Sequence, residues 1–190
     1  MKLIGTQPLE TERFLLRRFV PEDAEAMFRN WANDPEVTRY LRWEAYRSVD
    51  EAKETICTWL REYESPSFLH WAMCLKPGLE PIGSIGIVDR QAYDERAEIG
   101  YCIGRRWWGR GLTAEALRAV LAFGFEAAGY NRLSACHSLQ NPASGRVMEK
   151  AGMLLEGTLR QYYRCSSGFQ DCRLYAMLRQ DYLAAHQSSI

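Results

Sequence analysis

The chain has 190 residues, 47% hydrophobic and 25% charged, with Lys+Arg and Asp+Glu both totalling 24. That is the length of one domain with a real core, and an ordinary globular composition. Zero net charge argues against a single-sign field for gripping nucleic acid or an anionic membrane, and no stretch approaches the roughly 18 uninterrupted apolar residues of a membrane span.

Six cysteines (57, 74, 102, 136, 165 and 172) are scattered without a CxxC pair, and Cys74, Cys102 and Cys136 lie inside apolar runs, where a cysteine acts as a small hydrophobe. The start, "MKLIGTQPLETERF", turns polar at once, without a basic-then-apolar leader. The expectation is a cytoplasmic protein with reduced thiols, without nucleic-acid or membrane partners.

In chain order, "ETERFLLRRFVPED" predicts a first strand with Phe14, Leu16 and Val20 on its apolar side, and "PEDAEAMFRNWAND" a short helix opened by Pro21. "DPEVTRYLRWEAYRS" lacks clean periodicity and reads as a loop with a helical turn. "SVDEAKETICTWLREYE" carries a capping box, Ser48 and Glu51, ahead of Ile56, Trp59, Leu60 and Tyr63 at helical spacing. Three strands follow, "FLHWAMCLK", "EPIGSIGIVDR" and "RAEIGYCIG", joined by the hairpin-length "PGLE" and "QAYDE". A helix from about Leu112 to Ala128 ends at Gly129, and "NRLSACHSL" is a strand. "NPASGRVMEKAG" is a short helix with Asn141 as N-cap, Pro142 at N1 and Gly152 as stop. "MLLEGTLRQYYR" and "DCRLYAMLRQDY" close the chain as strands around "CSSGFQ", leaving a short polar tail after Tyr182. The strand–helix–strand step over about 98–138 is a parallel crossover and the rest is hairpins, so the fold class is α/β, one mixed sheet with helices on both faces.

The stretch "GRRWWGRGLTAEALRAVL" sets Gly109 and Gly111 where a helix begins. Amides at a helix N-terminus lack intrahelical partners and carry the positive end of the dipole, and glycine lets a ligand approach them. With Arg105, Arg106 and Arg110 around the turn, the combination suits a phosphate or pyrophosphate; a tight strand-to-helix turn that merely tolerates glycine is the alternative. The spacing is neither a Walker A loop nor a dinucleotide fingerprint.

With "EIGYCIG", "WWGRGLTAEAL", "NPASGRVMEKAGM" and "LEGTLRQ…D" in this order, the chain resembles, over nearly its whole length, the GCN5-related N-acetyltransferases (GNAT), in the branch of the ribosomal-protein acetyltransferases RimJ and RimL. The resemblance implies one N-acetyltransferase domain over 1–190, with its core at about 8–182. It implies acetyl-CoA as donor, held at its pyrophosphate by the amides from Gly109 to Thr113 in the register Trp108-Gly109-Arg110-Gly111-Leu112-Thr113, with Arg106 starting a second copy of the motif two residues earlier. Tyr101, Cys102 and Ile103 would pair their backbone with the pantetheine arm, a backbone N–H near Cys102 or Ile103 would meet the thioester oxygen, and Asn141 would lie by the pantetheine. Trp31, Tyr40, Trp43 and Tyr46, facing "RQYYRCSSGF", would line an acceptor groove or pack on the sheet. Homodimers are common in this branch and make a homodimer the expectation.

Transfer to an amine needs the amine neutral, although an α-amine titrates near ~8 and a lysine near ~10.4. Glu98, in the otherwise apolar "AEIGYCI" and two residues before Gly100, is the candidate base; a solvent-facing position or an arginine partner are its other readings. The resemblance places the Ser144 hydroxyl near the thiol as the candidate acid, in a segment, "NPASGRVME", without the tyrosine used elsewhere in the superfamily; helix initiation also explains Ser144. Cys102 has no paired histidine pattern and reads as packing, as do His70 and His137; Glu149 and Lys150 read as helix end, Asp171 as loop structure, and no metal-ligand spacing is present. The acceptor is then a protein N-terminal α-amine, with a small-molecule amine as the alternative. A non-catalytic acyl-CoA-binding module is a third reading, against which the presence of Glu98 argues.

Overall fold

The computed structural model describes residues 1–187. Eight strands form one sheet in the order β1-β2-β3-β4-β5-β6-β8-β7: β1 (Leu9–Glu10), β2 (Phe14–Arg17), β3 (Leu69–Leu75), β4 (Pro81–Gln91), β5 (Arg96–Ile103), β6 (Arg132–Ser138), β7 (Leu154–Cys165) and β8 (Gly168–Leu178). All neighbours are antiparallel except β5 and β6, the pair joined by the helical crossover, as a parallel pair requires. The helices are α1 (Ala24–Met27), α2 (Pro35–Thr38), α3 (Val49–Glu62), α4 (Leu112–Ala122), α5 (Pro142–Lys150) and α6 (Arg179–Gln187). A 3-10 turn at Pro21–Asp23 leads into α1, and π-helical stretches extend α1 over Phe28–Ala32 and α4 over Phe123–Ala128.

Strand alternation divides the core between the two faces of the sheet. Trp71 and Met73 on β3 point into a cluster with Phe14, Leu16, Ile85, Ile99 and, from α4, Leu117 and Val120. Ala72 and Cys74 point the other way, into Phe19, Met27, Trp31, Ala52 and Ile56 beneath α1 and α3. A bulge between Ala72 and Cys74 of β3 and their partners on β4 puts Ile82 on the same face as Ile85 and Ile87. The opposite face of β4 and β5 is left with small residues in register: Ser84 opposite Cys102, and Gly86 opposite Gly100.

Several sequence expectations change. Val20 is exposed and Phe19 is the buried residue at the end of the first strand. Ser48 and Asn141 sit at N-cap positions without a side-chain cap bond, and Glu51 accepts instead from the Arg47 amide. The last strand starts at Gly168, not Asp171, and the segment expected as strand end and polar tail is α6; its Tyr182 hydroxyl donates to Glu126 and its ring packs on Phe125, which favours a helix over an unpacked tail. Among the described residues, no helix is long and apolar enough to cross a membrane, and no group of three or more His, Cys, Asp or Glu is placed to hold a metal ion.

Gly104 ends β5 at a crossing of chains: a Cβ there would collide with the Asn30 carbonyl oxygen and lie 2.7 Å from the Trp107 ring. Gly104→Ala is expected to destabilise by about 1–3 kcal/mol through overpacking, seen as a lower urea midpoint at unchanged m-value.

Candidate active site

The parallel ladder is short. Arg96 pairs with Arg132, Ala97 with Leu133 and Glu98 with Ser134, and there the β5–β6 register ends. Beyond it β5 continues on β4 as far as Ile103 opposite Gly83, and β6 continues on β8 as far as Ser138 opposite Cys172. The sheet therefore opens between two strands that each keep one partner, leaving the facing backbone edges of β5 and β6 to a ligand. A cavity of about 750 Å³ occupies the opening and is lined from both faces: Glu98, Gly100 and Cys102 from one, Tyr101, Asn141 and Ser144 from the other.

At one end of the cavity lies the start of α4. Gly109 (φ 75°) and Gly111 (φ 72°) both adopt left-handed backbone, which side chains disfavour by roughly 1–2 kcal/mol. A Cβ at Gly109 would meet nothing within 4 Å, so φ and open approach, not crowding, call for glycine there. The turn is held from below. The Glu115 carboxylate accepts from the Thr11 hydroxyl at 2.6 Å, the Arg13 amide at 2.9 Å and Arg13 Nε at 2.5 Å, and an Arg13 guanidinium N–H donates to the Arg110 carbonyl at 3.0 Å. Burial pushes the Glu115 carboxyl up, but these donors outweigh it and hold it below the usual carboxylate value. Trp108 Nε1 donates to the Ile103 carbonyl at 2.9 Å, pinning the turn to the end of β5. A side cavity of about 120 Å³ joins Gly109, Arg110, Gly111, Leu112 and Thr113 to Arg146 and Lys150 of α5, so α5 supplies cations that the motif does not contain. Arg106 lines neither cavity, and its guanidinium lies over the Trp107 ring. Arg105 instead pairs with Asp34 at 3.0 Å.

Glu98 stands where the ladder ends. Its Oε1 accepts from the Cys136 thiol at 3.4 Å and its Oε2 from the Tyr162 hydroxyl at 3.1 Å. Burial, with Glu98 alongside, pushes the Tyr162 hydroxyl up to about 12 and drives the Cys136 thiol far up; burial also raises Cys102. Both thiols are neutral at physiological pH and unsuited to be nucleophiles. Across the opening, the Tyr101 hydroxyl lies 2.9 Å from Ser144 Oγ and donates to the Ser144 carbonyl at 3.1 Å, and burial drives it well above an ordinary tyrosine. With its one proton on that carbonyl, Tyr101 accepts from Ser144. Asn141, whose side chain makes no cap bond, lines the cavity. His137 is locked behind α5: Nδ1 lies 2.8 Å from the Ser138 carbonyl, and Gly145 leaves room for the ring. His70, buried against Phe19 and Trp59, is pushed down to about 4 by burial.

Sequence reasoning missed the hydroxyls of Tyr101 and Tyr162. Tyr101 was expected to act through its backbone alone, and no periodic signal brings Tyr162 of the edge strand β7 to Glu98. Trp31, Tyr40, Trp43 and Tyr46 do line the far end of the cavity, with Met27, Val37 and Tyr163. The Tyr163 hydroxyl donates to the Tyr40 carbonyl at 2.8 Å, tying the last hairpin to the loop after α2.

Residues 13–154 match the family model of the acetyltransferase (GNAT) domain. The chain belongs to the GNAT acetyltransferases. It is 36% identical over 171 residues (90% of this chain, 96% of the relative) to YoaA of Bacillus subtilis, an uncharacterized N-acetyltransferase. It is 29% identical over 99 residues (52% of this chain, 55% of the relative) to the ribosomal-protein-serine acetyltransferase of Escherichia coli. The solved GNAT-family acetyltransferase of Bacillus anthracis superposes with a TM-score of 0.80 at 24% identity, covering 92% of this chain and 99% of that one, and shares the fold.

The GNAT fold's donor is acetyl-CoA, and the residues present fit it. The open amides at the start of α4 suit an anion, Arg110, Arg146 and Lys150 surround them, and the free strand edges beyond Glu98 suit an extended amide-bearing arm. The clamp under this turn titrates. Because the Glu115 carboxyl is lowered by its donors, its stabilisation is present above the ordinary value of 4.5 and is lost as pH falls through the lower folded value. Glu115→Gln is therefore expected to be less stable than the parent at neutral pH, with the gap in urea midpoint closing as pH drops below 4.5.

Proposed function

We propose that this GNAT N-acetyltransferase transfers acetyl from acetyl-CoA to the α-amine of a protein N-terminus by direct attack in a ternary complex. One observation carries the reading: a single cavity passes through the sheet from the cationic glycine turn to an aromatic wall, with Glu98 on one side and the Ser144–Tyr101 pair on the other.

The roles follow from position. The amides from Gly109 to Thr113 hold the pyrophosphate, and the free edge at Tyr101, Cys102 and Ile103, with Asn141, aligns the pantetheine. Glu98 takes the proton from the acceptor ammonium, directly or through a water, so that the nitrogen lone pair can attack the thioester carbon. A backbone N–H near Cys102 or Ile103 stabilises the charge developing on the carbonyl oxygen. As the C–S bond breaks, the Ser144 hydroxyl turns from Tyr101 to the leaving thiolate and gives it its proton. The acceptor's first residue lies against Trp31, Tyr40, Trp43 and Tyr46.

Similarity to a ribosomal-protein acetyltransferase over half the chain supports the protein acceptor. The hydrogen bond that closes Tyr163 onto Tyr40 favours a second reading, a compact small-molecule amine, because it narrows the aromatic end. Polycations fit this end poorly: Arg39 and Arg42 line it, and its Glu36 is paired with Arg39.

Product mass spectrometry with acetyl-CoA and a panel of N-terminal peptides, polyamines, aminoglycosides and amino acids tests the assignment. Acetylated peptide α-amines are expected; acetylation of a small amine alone would transfer the enzyme to the second reading. Glu98→Gln is expected to lower kcat by about 10²- to 10⁴-fold at nearly unchanged KM for acetyl-CoA, and a fully active Glu98→Gln would remove Glu98 as the base. Gly111→Ala is expected to raise KM for acetyl-CoA more than it lowers kcat.

A further inference from the structure

The bond from Tyr162 to Glu98 is unexpected from sheet geometry. In the strand order, β8 and β6 stand between β7 and β5, which is three steps or about 14 Å at the usual spacing of roughly 4.8 Å. A tyrosine side chain standing upright on β7 cannot cover that distance. It reaches because β7 departs from register: Leu159 pairs with Cys172 and Tyr163 with Gln170, so four steps on β7 face two on β8. The two extra residues bend the strand over the sheet. Gln161, inside the bulge, has φ 48°, left-handed backbone that a residue with a Cβ adopts only when its surroundings impose it. The contact that meets it comes from the facing strand: Asp171 Oδ1 accepts from the Gln161 amide at 2.8 Å. The next residue along is Tyr162, 41% exposed, whose hydroxyl meets Glu98.

We propose that Asp171 is a positioning residue for catalysis: by holding Gln161 left-handed it sets the β7 bulge that brings the Tyr162 hydroxyl onto Glu98. Tyr162 and Cys136 then each take one carboxylate oxygen, which fixes the plane of the carboxylate toward the acceptor. The inference rests on the reading of Glu98 as the base. It gives Asp171 a role beyond loop structure, because the same bulge returns Tyr163 inward to bond the Tyr40 carbonyl, so one amide–carboxylate contact orders both the base and the aromatic end.

The test separates this relay from the chemistry. Full-length protein carrying 13Cζ-labelled tyrosine, with Tyr162→Phe to assign the signal, reports the Tyr162 hydrogen bond at neutral pH without turnover. Asp171→Ala is expected to move the Tyr162 resonance to where Glu98→Gln moves it, and to lower kcat about tenfold, the scale of a misplaced catalytic group, with KM for acetyl-CoA unchanged. Asp171→Asn keeps an acceptor oxygen and is expected to hold both resonance and kcat near the parent. The double variant Asp171→Ala with Gln161→Gly is expected to recover most of both, since glycine takes positive φ unaided; a generally weakened fold would not recover in this way, and the double variant also serves if Asp171→Ala alone does not fold. A resonance unmoved by Asp171→Ala overturns the relay, and a moved resonance with undiminished kcat overturns its catalytic importance. Full activity of Glu98→Gln instead overturns the base assignment, and is distinguishable because the resonance would still respond to Asp171.

Discussion

The end of the parallel ladder at Glu98 and Ser134 is the constraint on which the site depends. A sheet that stayed paired past this point would have no passage between its faces and no free backbone edge. Each strand tolerates the separation because it keeps a full antiparallel partner on its other side, β4 for β5 and β8 for β6. Only one edge of each strand is released, and in a cavity that edge is a binding surface, not an unsatisfied cost. Glu98 is the last residue of β5 paired with β6, so its backbone is held on both sides while its carboxylate stands at the mouth of the gap. Rigid backbone and open surroundings coincide at one residue.

The cavity exists because its floor and its roof are of different size. Ser84, Gly100 and Cys102 make a floor too small to fill the space beneath α1 and α3: a Cβ at Gly100 would meet nothing within 4 Å, whereas Gly86 makes room for the His70 ring. The roof is made of Trp31, Trp43, Tyr46 and Trp59, large rings whose burial stabilises the layer by about 1.5–3 kcal/mol per large apolar side chain. The stability of that face is therefore concentrated above the cavity, and the strands under it can remain small. Hydrogen bonds finish what packing begins: Glu115 with Arg13 holds the glycine turn, Trp108 fixes it to β5, and Tyr163 joins the last hairpin to the loop after α2.

What was legible in the sequence was whatever is local in the chain. The β3–β4–β5 meander, the crossover helix and the stop at Gly129 follow from alternation, helical spacing and turn residues. Gly109 and Gly111 announced their backbone because only glycine takes positive φ freely. Glu98 was visible as a lone carboxylate in an apolar strand, and Ser144 and Asn141 as the opening of a helix. Less legible were contacts between residues far apart in the chain. The caps at Ser48 and Asn141 were misjudged because N-cap chemistry is read from residue type, whereas the bond depends on the side chain's rotamer: both residues occupy the cap position and neither side chain makes the bond. Arg106 is next to the glycine turn in sequence, but it belongs to the 3-10 turn at Arg105–Trp107 and lies over Trp107, whereas Arg146 and Lys150 reach the turn from another helix. Tyr101, Tyr162 and α6 were missed for the same reason: each is defined by a partner 43 to 64 positions away.

The two faces of the sheet also divide the proton chemistry. Glu98 is reached by two donors on its own face, Cys136 and Tyr162, one to each carboxylate oxygen. Ser144 and Tyr101, on the other face, are two hydroxyls in contact, with burial driving the tyrosine's proton affinity up. In the proposed reaction the base and the acid stand on opposite sides of a gap that a substrate fills, and they meet through it. The aromatic wall and the glycine turn then set which molecules can complete that path, one from each end. The bend in β7 matters for the same reason, since it lets the sheet's far edge reach around the gap instead of closing it.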